Sequence, residues 1–143
     1  MTVAFDFQVT WSDLDANNHL RNTGYLDYAA QSRFLYFDSR GFGPADFRKL
    51  GIGPAVLSET IQYRRELRLL DHFQIQLSNG GENRAQSRFI FVNTIFNADG
   101  KLCADVRSTF VWFSQTARKI VPAPPPLLEA MHALPRNATF EEL

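Results

Sequence analysis

The sequence predicts an α+β fold in which one long helix packs against a curled antiparallel sheet of about five strands. Three observations predict it. One segment, Tyr25 to Arg40, is aromatic, rich in alanine and patterned at helical spacing. One segment before it and four after it alternate apolar and polar residues over strand length. Short turns join the last strands, so these neighbours run antiparallel.

The chain has 143 residues, enough for one domain with one core, so 1–143 is read as a single unit. Thirteen Phe imply large aromatic side chains in that core. Fifteen basic and fifteen acidic residues cancel, which argues against a nucleic-acid or membrane-surface binder as partner. Cys103 is the only cysteine, so no internal disulfide can form. The opening MTVAFDFQVT lacks the basic and apolar regions of a signal peptide, and no window is apolar enough to span a bilayer. A cytoplasmic setting is expected.

Thr2 to Trp11 is the first strand, with Phe5, Phe7, Val9 and Trp11 on one face. Trp11 to Tyr25, WSDLDANNHLRNTGY, is a polar loop leading into the helix, which Asn22 or Thr23 is expected to cap. Leu26, Ala29, Ala30, Arg33, Phe34 and Phe37 share helical spacing, and Gly41 ends the helix. A short helical turn is expected around Ala45–Lys49. Pro54 to Leu67 reads as a strand, with Val56, Ser58, Thr60 and Gln62 on one face and Leu57, Glu59, Ile61 and Tyr63 on the other. Phe73, Ile75 and Leu77 mark the third strand, and Asn79-Gly80-Gly81 is read as its turn. Ser87 to Asn97 is the fourth strand, with Phe89, Phe91, Asn93 and Ile95 on one face. Asp99-Gly100 supplies the positive φ of a hairpin turn before the fifth strand, Leu102 to Ser114. Four prolines between Val121 and Pro126 stop the sheet and open a Pro-rich tail. Leu127 to Leu134 is read as a short helix, and Pro135 to Leu143 as a polar, disordered end.

Two aspartates and a histidine crowd the polar loop just before the helix, more densely than reactive side chains occur elsewhere. The other chemistries lack their motifs. There is no Gly-x-Ser-x-Gly, phosphate loop or Gly-x-Gly-x-x-Gly. His19, His72 and His132 have no histidine partner at helical spacing, so neither a metal nor another cofactor is expected. Cys103 sits mid-strand as a small core residue.

The sequence resembles the hot-dog acyl-CoA thioesterases of the 4-hydroxybenzoyl-CoA thioesterase type. Ser12-Asp13-Leu14-Asp15 followed by His19, Asn22 and Tyr25 carries the resemblance. So do Ile61 to Arg65, Leu69-Leu70-Asp71, Phe96 to Leu102, and Thr116 to Lys119 before the prolines. The resemblance implies the hot-dog fold and hydrolysis of an acyl-CoA thioester. It places the catalytic carboxylate at Asp15, with Asp13 in support and His19 and Asn22 close by. Backbone N–H groups around Asn22, Thr23 and Gly24 would polarise the thioester carbonyl, which suits the free donors and partial positive charge of a helix N-terminus. Arg84 and Arg88, or Arg64 and Arg65, would meet the CoA phosphates. Tyr25 and Tyr28 would lie at the acyl pocket. Ala16-Asn17-Asn18-His19 stands where the founding enzyme has proline and glycine, which points to the broader acyl-CoA thioesterases. Asp15 would act as nucleophile or as general base. The competing function is a non-catalytic domain that binds acyl-CoA or an acyl carrier. An open sheet edge predicts pairing with another copy, as a homodimer or homotetramer.

Overall fold

The computed structural model describes Met1–Leu143. Its strands are β1 (Val3–Gln8), β2 (Ile52–Tyr63), β3 (His72–Glu82), β4 (Arg88–Asn97), β5 (Leu102–Ser114), β6 (Lys119–Ile120) and β7 (Arg136–Glu142). The helices are α1 (Asn22–Ser39), α2 (Pro44–Leu50) and α3 (Pro125–His132). The main sheet runs β1-β3-β4-β5-β2, with every neighbouring pair antiparallel. The sheet curls round α1 in the hot-dog arrangement.

The pleat explains the core. Phe73, Ile75 and Leu77 of β3 face inward, as do Phe89, Phe91 and Ile95 of β4 and Val106, Phe110 and Trp112 of β5. Tyr25, Ala29, Tyr36 and Phe37 of α1 meet them. Each fully buried large side chain contributes about 1.5–3 kcal/mol relative to exposure. Phe37 touches Phe91 and Trp112 edge-on at 5.7 and 5.5 Å between centroids. Gly41 ends α1 in the left-handed region (φ +87°), as its sequence position predicts. Phe34 shares the helical spacing of core residues but is 52% exposed, and with the half-buried Ala30 it borders an apolar cavity rather than the core.

Four other expectations are corrected. No side chain caps α1; Arg21 takes the N-cap position, and the Thr23 hydroxyl is held by Arg21 Nε at 3.1 Å. β2 ends at Tyr63 rather than Leu67, since Arg64 and Arg65 both give their amides to the Cys103 carbonyl and the chain turns away. Asn79-Gly80-Gly81 is a bulge inside β3, not its turn. A Cβ on Gly80 would come within 2.7 Å of Val92 Cγ2 and 2.9 Å of Ile90 Cγ2. The turn itself is built by Asn83, whose Oδ1 accepts from the amides of Ser87 and Arg88 at 2.9 Å each. Finally, residues 136–142 are ordered as β7, parallel to the end of β3. Arg107 Nη2 donates to Gly80 O and Glu141 Oε1 at 3.0 Å each, and Asn137 Nδ2 donates to Ser78 Oγ at 3.0 Å. These contacts hold the segment over the outer face, where Ile90 and Val92 are buried.

β2 forms one edge of the sheet. It carries a bulge between Val56 and Ser58, so that Leu57 is the extra residue. Pro54 and Val56 share the inner face with Glu59, Ile61 and Tyr63, opposite Trp112, Phe110, Ser108, Val106 and Ala104 in turn. The two-residue alternation read from the sequence therefore changes face at Leu57.

Candidate functional site

The loop between β1 and α1 has two halves. In the first, a 3-10 turn at Trp11–Asp13 brings Asp13 under the chain. Asp13 Oδ2 accepts from Thr10 Oγ1 at 2.8 Å and from the Tyr28 hydroxyl at 2.5 Å, and Oδ1 accepts from Arg21 Nη1 at 3.2 Å. The Tyr28 hydroxyl above all, with Thr10 and Arg21, holds the Asp13 carboxyl below its ordinary range against the effect of burial. Arg21 continues to Asp27 Oδ2 at 2.8 Å. Tyr28 packs edge-on to Phe7 and Phe73.

In the second half the chain doubles back. The Asp15 amide donates to His19 O at 2.8 Å, and Asn18 turns the corner with φ +60°. Asp15 Oδ1 accepts from the amides of Asn17 and His19 at 2.8 and 3.1 Å, while Oδ2 has no protein partner. The Leu20 amide donates to Leu67 O at 2.7 Å, and His19 forms a bridge with Arg68, which ties the loop to the chain after β2.

A cleft of about 350 Å³ lies between this half-loop, the first turn of α1 and residues 63–66. It gathers Asp15, His19, Asn22, Tyr25, Arg64 and Arg65, which the family resemblance singles out one by one. Thr23 and Gly24 follow in the same helical turn, and Gly24 N bonds to Arg21 O at 2.9 Å. With no side-chain cap, the remaining amides at the helix start stay open to an anionic oxygen. Burial pushes the Tyr25 hydroxyl up to about 12, so it stays protonated and donates to Arg65 O at 3.2 Å. The structure also adds two residues. The Tyr63 hydroxyl donates to Asn22 O at 2.9 Å, joining the end of β2 to the start of α1. Glu66 Oε2 stands 3.9 Å from His19 Nε2, and its Oε1 is held by Arg68 at 2.9 Å. Tyr63 adjoins the arginine pair in sequence, but the bulge hides its face; Glu66 carries no periodic signal.

Three expected groups lie apart. Asp13 and Tyr28 do not line the cleft and belong to the pinned half of the loop. Arg84 and Arg88 stand at the other end of the sheet: Arg88 pairs with Val111, which pairs with Ala55, whereas Tyr63 pairs with Ala104.

A second, apolar cavity of about 120 Å³ opens between α1 and the beginning of β2. Its walls are Ala30, Phe34, Phe37, Val56 and Phe110 among others, and Arg33 is its one charged residue.

The sequence matches the thioesterase-like superfamily over residues 9–131. Among solved structures, a Staphylococcus aureus protein in complex with CoA superposes with a TM-score of 0.86 at 19% identity, covering 99% of this chain and 90% of that one. A 1,4-dihydroxy-2-naphthoyl-CoA thioesterase from Synechocystis gives 0.83 at 18%, covering 94% and 98%. A DHNA-CoA thioesterase from Staphylococcus aureus gives 0.81 at 18%, covering 92% and 89%. At these identities the likeness establishes the fold.

Proposed function

Because the chain belongs to the thioesterase-like superfamily, and so to the thioester hydrolases, we propose that it hydrolyses an acyl-CoA at the Asp15 cleft. One observation carries the reading. Asp15 has one carboxylate oxygen held by two backbone amides and the other free, beside a helix start that no side chain caps. The held oxygen fixes the carboxylate, and the free one acts on the thioester. Asp15 either attacks the carbonyl, giving a mixed anhydride that water opens, or takes the proton of an attacking water. In both routes the carbonyl oxygen gains negative charge near the Asn22 and Thr23 amides, since the Gly24 amide is taken by Arg21 O, the C–S bond breaks and the CoA thiolate leaves. His19 and Asn22 sit at the cleft as orienting groups. Free-thiol release from a panel of acyl-CoAs, with wild type and Asp15→Asn, tests this. Equal rates in both proteins remove Asp15 from the mechanism; binding without thiol release supports the acyl-CoA or acyl-carrier binding domain instead.

The same reading includes a second copy. β2 is a twelve-residue edge with Val56, Leu57 and Tyr63 about half exposed, next to the exposed Phe34 of α1. An edge strand that pairs with its own copy about a two-fold axis must do so antiparallel. Such pairing carries the Ala55 end of one sheet, with Arg84 and Arg88, toward the Tyr63 end of the other, with Asp15, Arg64 and Arg65. One CoA then meets arginines from both copies. Mixing Asp15→Asn chains with Arg88→Ala chains tests it, because a mixed pair has one intact site and regains activity. No regain on mixing means that each chain binds CoA alone.

A further inference from the structure

We infer that the face beside the Asp15 cleft docks an acidic acyl carrier protein, so that the cleft hydrolyses acyl groups delivered on a carrier's phosphopantetheine arm as well as on CoA. This rests on the thioesterase reading above and extends its substrate class.

Three large apolar side chains stand in water at one place. Trp11 is 79% exposed, Leu70 62% and Leu69 42%. All three lie within two residues of one backbone pairing: Leu70 N donates to Val9 O, and Val9 N to Asp71 O, each at 3.0 Å. An exposed apolar cluster marks a docking surface, and Trp is among the residues that anchor one. The β2 edge does not use this cluster, because β2 ends at Tyr63.

The cluster abuts the cleft. His19, a cleft wall, bridges to Arg68, the residue before Leu69. On the other side Trp11 precedes Asp15 by four residues in the same loop. A partner seated on this face therefore stands beside the catalytic carboxylate.

Charge states the partner's chemistry. Residues 64–70, RRELRLL, set three exposed arginines against one glutamate. The acids around them are already engaged. Arg21 holds Asp13 and Asp27, Arg68 Nη2 holds Glu66 at 2.9 Å, and Asp71 Oδ2 accepts from the Arg68 amide at 2.8 Å. The Arg64 guanidinium bonds to the neutral Gln62 at 2.6 Å, and no acid pairs with Arg64 or Arg65. An acidic surface with an apolar strip complements this face. A carrier protein supplies that surface and the thioester together: the phosphodiester of its arm meets Arg64 or Arg65, and the thioester enters the cleft. Hydrolysis consumes one water, breaks the C–S bond and leaves a free acid and the carrier's thiol. CoA ends instead in a nucleotide, which the reading above assigns to Arg84 and Arg88 of the second copy, and it leaves Trp11, Leu69 and Leu70 uncovered. A lipid surface calls for a wider basic face than a chain of net charge zero presents.

The test compares octanoyl-acyl carrier protein with octanoyl-CoA by thiol release. The double variant Trp11→Ser, Leu70→Ser changes two exposed sites and so keeps the fold. It is expected to lower kcat/KM for the carrier substrate by about tenfold or more, chiefly through KM, and to leave octanoyl-CoA unchanged. A second readout needs no turnover: holo-acyl carrier protein should shift the Trp11 indole N–H resonance, with the buried Trp112 as reference. A wild type inert toward the carrier substrate while it cleaves octanoyl-CoA, a variant that loses both substrates alike, or a Trp11 resonance that does not move overturns the proposal. So does a variant whose oligomeric state changes, which gives the face to a second copy. Binding to phosphatidylglycerol vesicles, rather than to the carrier, that the variant abolishes also overturns it. If neither thioester is hydrolysed while the Trp11 resonance still shifts, the thioesterase reading falls and the carrier-docking face stands.

Discussion

Asp13 and Asp15 lie two residues apart in one loop, yet their surroundings differ in kind. Asp13 accepts from Thr10, Tyr28 and Arg21, and both its oxygens are engaged. Asp15 accepts from two amides on one oxygen and keeps the other open toward the cleft. A carboxylate whose bonding capacity is taken up locally holds the chain in place. A carboxylate fixed on one side and open on the other is suited to act on something else. The loop thus divides the labour: the pinned half fixes where the open half stands.

The sharpest way to break this comparison is to remove the charge from each aspartate in turn. Asp15→Asn is expected to lower thiol release by about 10²- to 10⁴-fold and to leave the melting temperature almost unchanged. If it unfolds the protein instead, Asp15 is a structural residue like its neighbour. Asp13→Ala is expected to cost about 2 kcal/mol in denaturant unfolding, because it removes the short charge-assisted bond of the Tyr28 hydroxyl, leaving it the Gln8 carbonyl, and frees part of the Arg21 fork. Its activity loss should follow the fraction of misplaced loop, seen as a smaller drop in kcat.

A pH titration sharpens the same contrast more gently. The folded Asp13 carboxyl titrates below its unfolded value, so the unfolded chain binds the proton first on acidification. The stability it contributes is fully present above about pH 4, near the unfolded value, and is lost as pH falls through the lower folded value. Asp13→Asn should flatten the unfolding free energy over that acid window. A wild-type slope retained in the variant assigns the acid sensitivity to another carboxyl. The smallest expected effect is on CoA affinity: Arg65→Ala should raise KM a few-fold with kcat nearly constant, read from initial rates. A change in kcat alone would move Arg65 from binding toward the reaction.

Much of this was legible in the residues. The helix, the inward faces of β3 and β4 and the Asp99-Gly100 turn follow from periodicity and from backbone angles that few residue types adopt. Asp15, His19, Asn22, Tyr25, Arg64 and Arg65 meet at one cleft because a strand end and a helix start converge there. The failures have common physical causes. The capping rule expects Asn22 or Thr23, but the Arg21 side chain occupies the Thr23 hydroxyl and Tyr63 approaches Asn22 through its carbonyl. Asn79-Gly80-Gly81 has the composition of a turn, yet Gly80 is there because Val92 and Ile90 leave no room for a Cβ. Residues 136–142 look too polar for a sheet, and Arg107, far away in sequence, anchors them. In each case a tertiary partner overrides the local preference, and a single sequence does not name that partner.

The bulge in β2 acts on the strand as a frameshift acts on a message. Leu57 is the inserted letter, and everything after it is read on the opposite face. Excising that residue would restore strict alternation and turn Glu59, Ile61 and Tyr63 outward together. Arg33 would lose its counter-charge and Asn22 its tyrosine contact in one event. The length of β2, as well as its composition, is therefore under constraint at this point: many substitutions at residue 57 leave the frame intact, and a deletion there does not.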